Sequence, residues 1–220
     1  MSVLLDPDRR SYPGGAGGAT RPALVWRLPD DTIAIASAVL GGGLGPRDWI
    51  VNVQVAIDYG IDDDPPADVA VIAKGLGLDA GRGVGLLTAV PVLDVKVGVD
   101  AGVECAATVG VSTPTWAAAP DGAWSRWTPG TINLVCWVPA PLADPALVNA
   151  VVTATEAKTQ ALCEADVPGT GTASDAIVVC CPMGGVEPYG GPRSRWGARL
   201  ARAVHDAVAS GAASALGPER

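Results

Sequence analysis

The stretch GTINLVCWVPAPLADPALVNAVVTATEAKTQALCEADVPGTGTASDAIVVCCPM, residues 130–183, carries the patterns on which the fold class depends. It opens on the apolar run INLVCWV and closes on AIVVCC, and both runs predict buried strands bounded by Gly, Pro and Asp. Between them, residues 143–166 predict the clearest helix of the chain, with Asp144 as N-cap and Pro145 at its first position. Its predicted apolar face consists of Leu147, Val148, Val151, Val152 and Leu162.

Further elements are predicted on the N-terminal side of this stretch. Residues 23–28 and 32–40 predict a hairpin that turns at Pro29, Asp30 and Asp31. Residues 49–59, WIVNVQVAIDY, alternate apolar and polar side chains, which predicts a strand whose polar face carries Asn52 away from the core. Val-rich runs predict more strands over residues 83–93, 92–99 and 102–112.

Two further helices complete the pattern. Asp64 and Gly77 have the residue types that cap and end a helix, and residues 195–211 predict an amphipathic helix near the C-terminus. Long strands interspersed with a few helices predict an α+β or mixed α/β fold. We expect a single layered domain with a multi-strand mixed sheet and about three to four helices.

The predicted domain covers residues 21–210. Residues 1–20 are polar and glycine-rich without a periodic pattern, which predicts a flexible N-terminal segment, and residues 211–220 are expected to form a C-terminal tail. With 220 residues, 49% of them hydrophobic and 17% charged, one domain buries enough surface to be stable without a disulfide or a metal.

Charge and cysteine content exclude several classes of protein. The formal net charge of −8 argues against a nucleic-acid partner, because phosphate binding depends on clustered Lys and Arg. Four arginines between residues 193 and 202 fit a solvated helix face.

The five cysteines are odd in number and lack C-x-x-C spacing, which predicts buried, reduced thiols. The adjacent Cys180 and Cys181 should point to opposite faces of a strand. The sequence has neither a signal-peptide pattern nor ~20 consecutive apolar residues. We therefore expect a cytoplasmic protein with no membrane partner.

Common catalytic and metal-binding patterns are scarce. His205 is the single histidine, so Ser-His-Asp and Cys-His mechanisms would both depend on it, and its position inside the last helix favours a surface or packing role. The same scarcity argues against the usual zinc sites, while a requirement for a carboxylate-bound divalent metal stays open. The glycine run at residues 41–45 lacks the spacing of a phosphate loop and indicates a turn.

Polar side chains lie in the middle of the long apolar helix, in the segment TATEAK at residues 153–158. Thr153 and Glu156 share a stripe with Asn149 and Gln160 at helical spacing. Lys158 lies about 200° around the axis from Glu156 at 3.6 residues per turn, so the two need separate partners. Periodicity alone favours a solvated stripe and a buried lysine stem. If the helix lines a site, the Glu156 stripe should face the substrate.

Two Gly-Thr segments offer short hydrogen-bonding groups next to glycines. They are GTIN at residues 130–133 and PGTGTASD at residues 168–175, and each leads into a predicted strand. Glycine lets the backbone approach a ligand, and Thr, Ser, Asn and Asp supply donors and acceptors there. Turns favour the same composition, so each segment alone is consistent with either interpretation.

Taken together, these segments resemble the adenosylcobinamide amidohydrolase family. The matching stretches span roughly residues 30–208. In chain order they are SAVLGGGL at 37–44 with Asn52 downstream, GVGLLTAV at 83–90, ATVGVSTP at 107–114, GTIN at 130–133, TATEAKTQAL at 153–162, GTGTASDAIVV at 169–179, and YGGP at 189–192 followed by the Gly197 helix. The chain departs from the family pattern at Ala173 and Ser174, where Gly and Thr are expected, and at Leu87, where Met is usual.

This resemblance implies hydrolysis of the amide that joins aminopropanol to a propionate arm of the corrin ring. The products would be adenosylcobyric acid and 1-amino-2-propanol, formed in corrinoid salvage. The corrinoid is then the substrate, and no cofactor is implied. A non-catalytic corrinoid-binding protein is the alternative, since an apolar pocket with short polar contacts would also hold a corrin. The oligomeric state stays open, a homodimer included.

Amide hydrolysis needs an activated water or hydroxyl, a stabilised oxyanion and a proton for the leaving amine. Our hypothesis assigns Glu156 as general base, Asn133 and the Gly-Thr backbone N–H groups to the oxyanion, and Asp175 or Lys158 to the proton. The expected substrate-binding residues are Asn52, Thr131, Thr153, Thr170, Thr172 and Ser174. A competing hypothesis makes Thr131, Thr170 or Thr172 a nucleophile that forms an acyl-enzyme.

Overall fold

The computed structural model describes residues 2–14, 19–60, 64–78, 81–122 and 130–217. Over these ranges the chain forms ten strands and three α-helices. The strands are β1 (Asp8–Pro13), β2 (Thr20–Arg27), β3 (Thr32–Ala36), β4 (Gly43–Pro46), β5 (Trp49–Gln54), β6 (Gly83–Thr88), β7 (Lys96–Asp100), β8 (Val103–Val109), β9 (Ile132–Trp137) and β10 (Ala176–Pro182). The helices are α1 (Pro65–Gly75), α2 (Asp144–Glu164) and α3 (Arg195–Leu216).

The strands form two mixed sheets. The four-stranded sheet has the order β1-β2-β5-β6, and the six-stranded sheet has the order β4-β3-β10-β9-β8-β7. The pairs β5–β6 and β9–β10 are parallel, and the other neighbours are antiparallel. The predicted α+β class and the single layered domain are confirmed, with the strands divided between two sheets.

The two sheets face each other, and helices cover their outer faces. Ile50 of β5 and Val135 of β9 belong to one apolar cluster between the sheets. The next residue along β5, Val51, packs in a cluster with Val69 of α1, while Leu134 belongs to the cluster formed with α2 and α3. The inner strands are therefore buried on both faces, which explains their uninterrupted apolar runs. None of the described helices has the length and apolar composition needed to cross a bilayer.

The predicted hairpin over residues 23–40 is wrong. Strand β2 pairs with β1 and β5, whereas β3 pairs with β4 and β10 in the other sheet. The turn around Asp31, which has φ 58°, carries the chain from one sheet to the other. The same turn chemistry serves both connections, so local sequence could not distinguish them.

Asn52 also differs from its prediction, because the side chain is 1% exposed. It lies on the same face of β5 as Ile50, and that face packs against the six-stranded sheet. The polar face of this strand is therefore an interior face between two sheets.

The structure differs from the predicted boundaries at both ends of the chain. Strand β1 pairs with β2 inside the segment expected to be flexible, and Leu4 is fully buried. The backbone N–H groups of Val3 and Leu4 donate to the buried carboxylate of Glu104 in β8. At the other end, α3 continues through Leu216, inside the expected tail. Residues 1, 15–18 and 218–220 of these two predicted segments lie outside the described residues.

Local signals located the ends of α1 correctly and the start of α2 to within one residue. Asp64 caps α1 by accepting from the Ala67 N–H, as predicted, and Gly77 follows the helix with φ 73°. In α2 the N-cap is Ala143, so Asp144 is the first helical residue rather than the cap. The predicted apolar face of α2 is only partly buried, since Val148 and Val152 are 53% and 47% exposed.

Candidate active site between the two sheets

A cavity of about 210 Å³ opens between the sheets. It lies where β6 ends and where β9 and β10 begin, so its walls come from both sheets. Most of the lining is apolar, and the polar side chains that line it include Thr88, Thr131, Asn133, Ser174 and Ser37. An apolar cavity with a few convergent polar groups is the usual form of a small-molecule site.

Asn133 lies in this lining and anchors a chain of hydrogen bonds between the sheets. Its Nδ2 donates to the backbone oxygen of Leu87 at 2.8 Å and to Asn52 Oδ1 at 3.0 Å. Asn52 Nδ2 in turn donates to Thr108 Oγ1 at 3.1 Å. Because a backbone carbonyl only accepts, the Leu87 contact fixes which end of the Asn133 amide is the NH₂ group.

The opposite end of the same amide has no partner among the residues that the structure describes. Asn133 Oδ1 is buried and accepts no hydrogen bond from any of them, while both hydrogens of its NH₂ group are used by Leu87 and Asn52. The predicted oxyanion role for the Asn133 side chain needs a free donor, and this arrangement leaves a free acceptor instead. The side chain is suited to receive an N–H or O–H group from a ligand.

Thr131 and Ser174 form a pair of hydroxyls at the cavity wall. Their oxygens are 2.6 Å apart, and either hydroxyl could be the donor. The pair has two hydrogens and uses one in its mutual bond. When Ser174 donates to Thr131, the Thr131 hydrogen is available to a ligand. If Ser174 does not donate to Thr131, its hydroxyl can donate to the backbone oxygen of Gly130, over a longer distance of 3.4 Å.

Asp175 and Lys158 form a nearly buried ion pair behind these hydroxyls. Their side chains are 12% and 7% exposed, and the Lys158 ammonium donates directly to Asp175 Oδ2. Asp175 Oδ1 also accepts from the Ile132 N–H at 3.1 Å and from the Thr172 hydroxyl at 2.5 Å. A Cβ on Gly171 would overlap both charged groups, so glycine permits this close approach. Asp175 thus ties the loop before β10 to both β9 and α2.

The structure brings together only some of the predicted site residues. The cavity lining includes Thr131, Asn133 and Ser174, with Asn52, Asp175 and Lys158 directly behind it. Thr172 is bonded to Asp175, and Thr170 accepts from the Ala117 N–H at 3.0 Å.

Thr153 and Glu156 of α2 lie apart from this group. Thr153 is fully buried and donates to the oxygen of Gly190 at 2.9 Å, which joins α2 to the loop before α3. Glu156 is exposed, whereas Lys158 on the other side of the helix is 5% exposed. The exposed Glu156 and the buried Lys158 agree with the solvated stripe and the buried lysine stem that periodicity favours. The alternative, in which the Glu156 stripe faces the site and Lys158 is engaged elsewhere, does not fit this geometry, since Lys158 reaches the loop that carries Ser174.

The remaining nucleophile types are held elsewhere. His205 contacts Glu164 across the α2–α3 packing at 2.7 Å, which agrees with its predicted packing role. Burial raises the pKa of the Cys180 thiol above its usual range. Burial also raises the pKa of the Cys181 thiol, to about 11. The two side chains belong to different apolar clusters, so their predicted opposite orientation is confirmed. Among the described residues, no group of three or more His, Cys, Asp or Glu side chains could hold a metal ion.

Sequence reasoning missed Ser37 and Thr108. Ser37 lines the cavity, and its hydroxyl accepts from the Ile177 N–H at 3.0 Å. Thr108 supports Asn52 from the opposite sheet. Each is a single polar residue in an apolar strand context, so only the pairing of distant strands could have identified it.

Comparisons with known proteins agree with one another. A family model described as adenosylcobinamide amidohydrolase matches residues 10–219. The adenosylcobinamide amidohydrolase of Methanosarcina mazei is 30% identical over 205 residues, which are 84% of this chain and 96% of that protein. The adenosylcobinamide amidohydrolase of Halobacterium salinarum is 42% identical over 113 residues, 48% of each chain. An uncharacterised protein of Methanocaldococcus jannaschii is 36% identical over 87 residues, 36% of this chain and 34% of that protein. No solved structure matches the chain.

Proposed function

The chain belongs to the adenosylcobinamide amidohydrolase family, and we propose that it hydrolyses adenosylcobinamide to adenosylcobyric acid and 1-amino-2-propanol in corrinoid salvage. Water supplies a hydroxyl to the acyl carbon and a hydrogen to the nitrogen as the C–N bond breaks. The observation that carries this proposal is the cavity lined by the Thr131–Ser174 hydroxyl pair and by Asn133, whose buried Oδ1 has no partner among the described residues. The expected compartment is the cytoplasm.

The size of the cavity supports binding of an arm of the substrate rather than of its ring. Sites for drug-sized ligands usually measure ~300–1,000 Å³, and this cavity measures about 210 Å³. A propionate arm with its aminopropanol group is a small, extended substituent that suits such a volume. The macrocycle would then lie outside, against exposed apolar side chains at the cavity such as Val39, which lines it and is 46% exposed.

Of the three threonines considered as nucleophiles, Thr131 has the best supporting geometry. It lines the cavity, whereas the hydroxyl of Thr172 is bonded to Asp175 and that of Thr170 accepts from Ala117. We propose that the Thr131 hydroxyl contacts the scissile carbonyl, either as the attacking oxygen or as a donor to the oxyanion beside an attacking water. Lys158 and Asp175 act through the loop that carries Ser174, as positioning residues.

Release of 1-amino-2-propanol from adenosylcobinamide is the direct test of this function. We expect turnover by the wild-type protein, and a fall of ~10²-fold or more in kcat for Thr131→Val, because removing one transition-state donor costs about that much. Thr155→Val is the matched control, since Thr155 is exposed on α2 and bonds only within the helix to Val151 in the structure. If the wild type binds corrinoids without releasing the amine, the chain is a binding protein.

Two further measurements separate the mechanisms. A corrinoyl adduct trapped on Thr131 and located by mass spectrometry would identify an acyl-enzyme, and its absence under single-turnover conditions would favour direct attack by water. Glu156→Gln tests the general-base hypothesis. Because Glu156 is exposed on the far side of α2 from Lys158, we expect activity within about twofold of wild type. A fall of ~10²–10⁴-fold would restore its role as base.

A further inference from the structure

We infer that the cavity selects a secondary amide by binding both of its polar atoms, with Asn133 Oδ1 accepting the N–H and the Thr131–Ser174 pair donating to the C=O. This inference rests on the proposed function and adds to it the feature by which the scissile bond is recognised. It assigns Asn133 as a substrate-contacting specificity residue, and Asn52 and Thr108 as positioning residues.

The first step is the unpaired acceptor. Asn133 is 1% exposed and lines the cavity, and its Oδ1 is buried without a hydrogen-bond partner in the part of the chain that the structure describes. An unpaired buried acceptor costs free energy in the folded protein, and a donor brought by a ligand removes that cost. A polar atom in this state at a cavity wall therefore favours a ligand that carries a donor.

The second step is that the side-chain amide of Asn133 cannot flip, that is, exchange the positions of its oxygen and its NH₂ group. Rotating it by 180° would place Oδ1 against the carbonyl oxygen of Leu87 and against Asn52 Oδ1, so two donor–acceptor contacts would become repulsive. Asn52 is held in place by its bond to Thr108 from the other sheet, and the NH₂ group of Asn133, fixed by the Leu87 carbonyl, determines which end of the Asn52 amide faces it. Hydrogen-bond chains of this kind reinforce one another in a low-dielectric interior. The acceptor is thus preorganised before the ligand arrives.

The third step is the match with the ligand. Thr131 and Asn133 are two residues apart along the chain at the start of β9, and both line the cavity. At ~3.3 Å per residue their Cα atoms are about 6.6 Å apart. One of them offers a hydroxyl hydrogen and the other offers an oxygen. A trans secondary amide presents its C=O and N–H on opposite edges of one plane, so a donor and an acceptor at this spacing suit its two edges.

The consequence is that the cavity should distinguish substrates by whether the scissile group carries an N–H. An ester or an N-methylated amide of the same arm has no N–H, so binding it leaves Asn133 Oδ1 unpaired. Sites built to hydrogen-bond a substrate group reject analogues that lack the group far more strongly than apolar pockets reject a missing methylene. We therefore expect hydrolysis of the secondary amide to depend on Asn133, and hydrolysis of the ester to depend on it much less.

The experiment compares adenosylcobinamide with the corresponding ester, in which oxygen replaces the amide N–H. The ratio of kcat/KM for amide to kcat/KM for ester is measured in wild type and in Asn133→Leu, so that the intrinsic reactivity of the ester cancels. We expect the ratio to fall by roughly 10-fold to 100-fold in the variant. An equal loss for both substrates, with the ratio unchanged, overturns the inference.

A second pair of variants keeps the test decisive if Asn133→Leu does not fold. Thr108→Val removes the hydroxyl that holds the Asn52 side chain in position against Asn133 and should lower the same ratio, and Thr108→Ser, which keeps the hydroxyl, should restore most of it. Thr32→Val is the control for a buried threonine outside the cavity, since Thr32 is 2% exposed and bonds the oxygen of Pro29. Equal ratios in the two Thr108 variants overturn the inference.

The proposed function and this inference fail in different ways. A wild-type protein that releases aminopropanol, together with variants that keep the wild-type ratio, overturns the recognition by Asn133 and leaves the activity intact. A wild-type protein that neither binds nor cleaves adenosylcobinamide overturns the activity, and the recognition with it.

Discussion

Replacing Lys158 with methionine should destabilise the protein strongly, although the site of substitution lies on a helix far from either chain end. Methionine keeps the length and the apolar stem of lysine and removes only the ammonium group. The change leaves the Asp175 carboxylate, which is 12% exposed, without its ion-pair partner. A buried charge that loses its partner is the costly case, whatever the net contribution of the pair.

The magnitude follows from what remains around Asp175. Breaking a buried pair by removing one partner costs ~3–5 kcal/mol. Asp175 keeps hydrogen bonds from the Ile132 N–H, the Thr172 N–H and the Thr172 hydroxyl, so the lower end is expected, ~3 kcal/mol in the free energy of unfolding. For a chain of this size 1 kcal/mol corresponds to ~2–4 °C in Tm, so we expect Tm to fall by ~6–12 °C.

Urea unfolding at 25 °C and thermal unfolding followed by circular dichroism measure both quantities. Lys74→Met is the matched control, because Lys74 is exposed in the last turn of α1 and should contribute less than ~1 kcal/mol. A double-mutant cycle with Asp175→Asn separates the pair from the other effects of each substitution. If Lys158→Met changes the free energy of unfolding by no more than Lys74→Met, the pair is screened as a surface ion pair would be, and the reasoning is refuted.

Three other predictions concern single sites. Gly171→Ala places a methyl group against Asp175 and should lower the free energy of unfolding in urea by ~1–3 kcal/mol; an unchanged value would contradict the close packing. Cys163 is exposed and the other four cysteines are buried, so a disulfide reagent should modify one thiol in the native protein and five after unfolding, and a second fast thiol would count against the fold. Hydrogen bonds from Arg82 hold the pKa of Asp48 below its usual range. A carboxylate with a lowered folded pKa stabilises above its unfolded pKa and loses this effect as the pH falls through the folded value. Wild type and Asp48→Asn should therefore differ in urea stability at pH 7, begin to converge as the pH falls below the unfolded pKa of about 4, and become equal only below the lowered folded pKa; a difference that does not shrink in this range would contradict the assignment.

Sequence patterns predicted what depends on neighbouring residues. The ends of α1 follow from Asp64 and Gly77, whose effects are local. The opposite orientation of Cys180 and Cys181 follows from the two-residue period of a strand. The alternation around Asn52 was also real, but the pattern alone could not reveal that its polar face meets another sheet.

Features of the site that depend on distant residues could not be predicted. In α2, periodicity correctly placed Glu156 and Lys158 on different faces and favoured a buried lysine stem, yet it could not identify the group that Lys158 contacts. That group is Asp175, which lies in a loop after the helix. The orientation of the Asn133 amide, on which its proposed acceptor role rests, likewise depends on the carbonyl of Leu87 and on Asn52, both in the other sheet.

The order of the strands has a consequence for how the protein is made. The central strand of the six-stranded sheet, β10, pairs Cys180 with Ala34 of β3, and it also supplies the cavity wall at Ala176. During synthesis, β3 therefore leaves the ribosome long before its partner exists. Pairings between such distant segments slow folding, and unpaired apolar strands are prone to aggregate meanwhile. We expect the refolding yield of the complete chain to fall steeply as protein concentration rises, because β10 must pair with distant strands before the sheet and the cavity are complete.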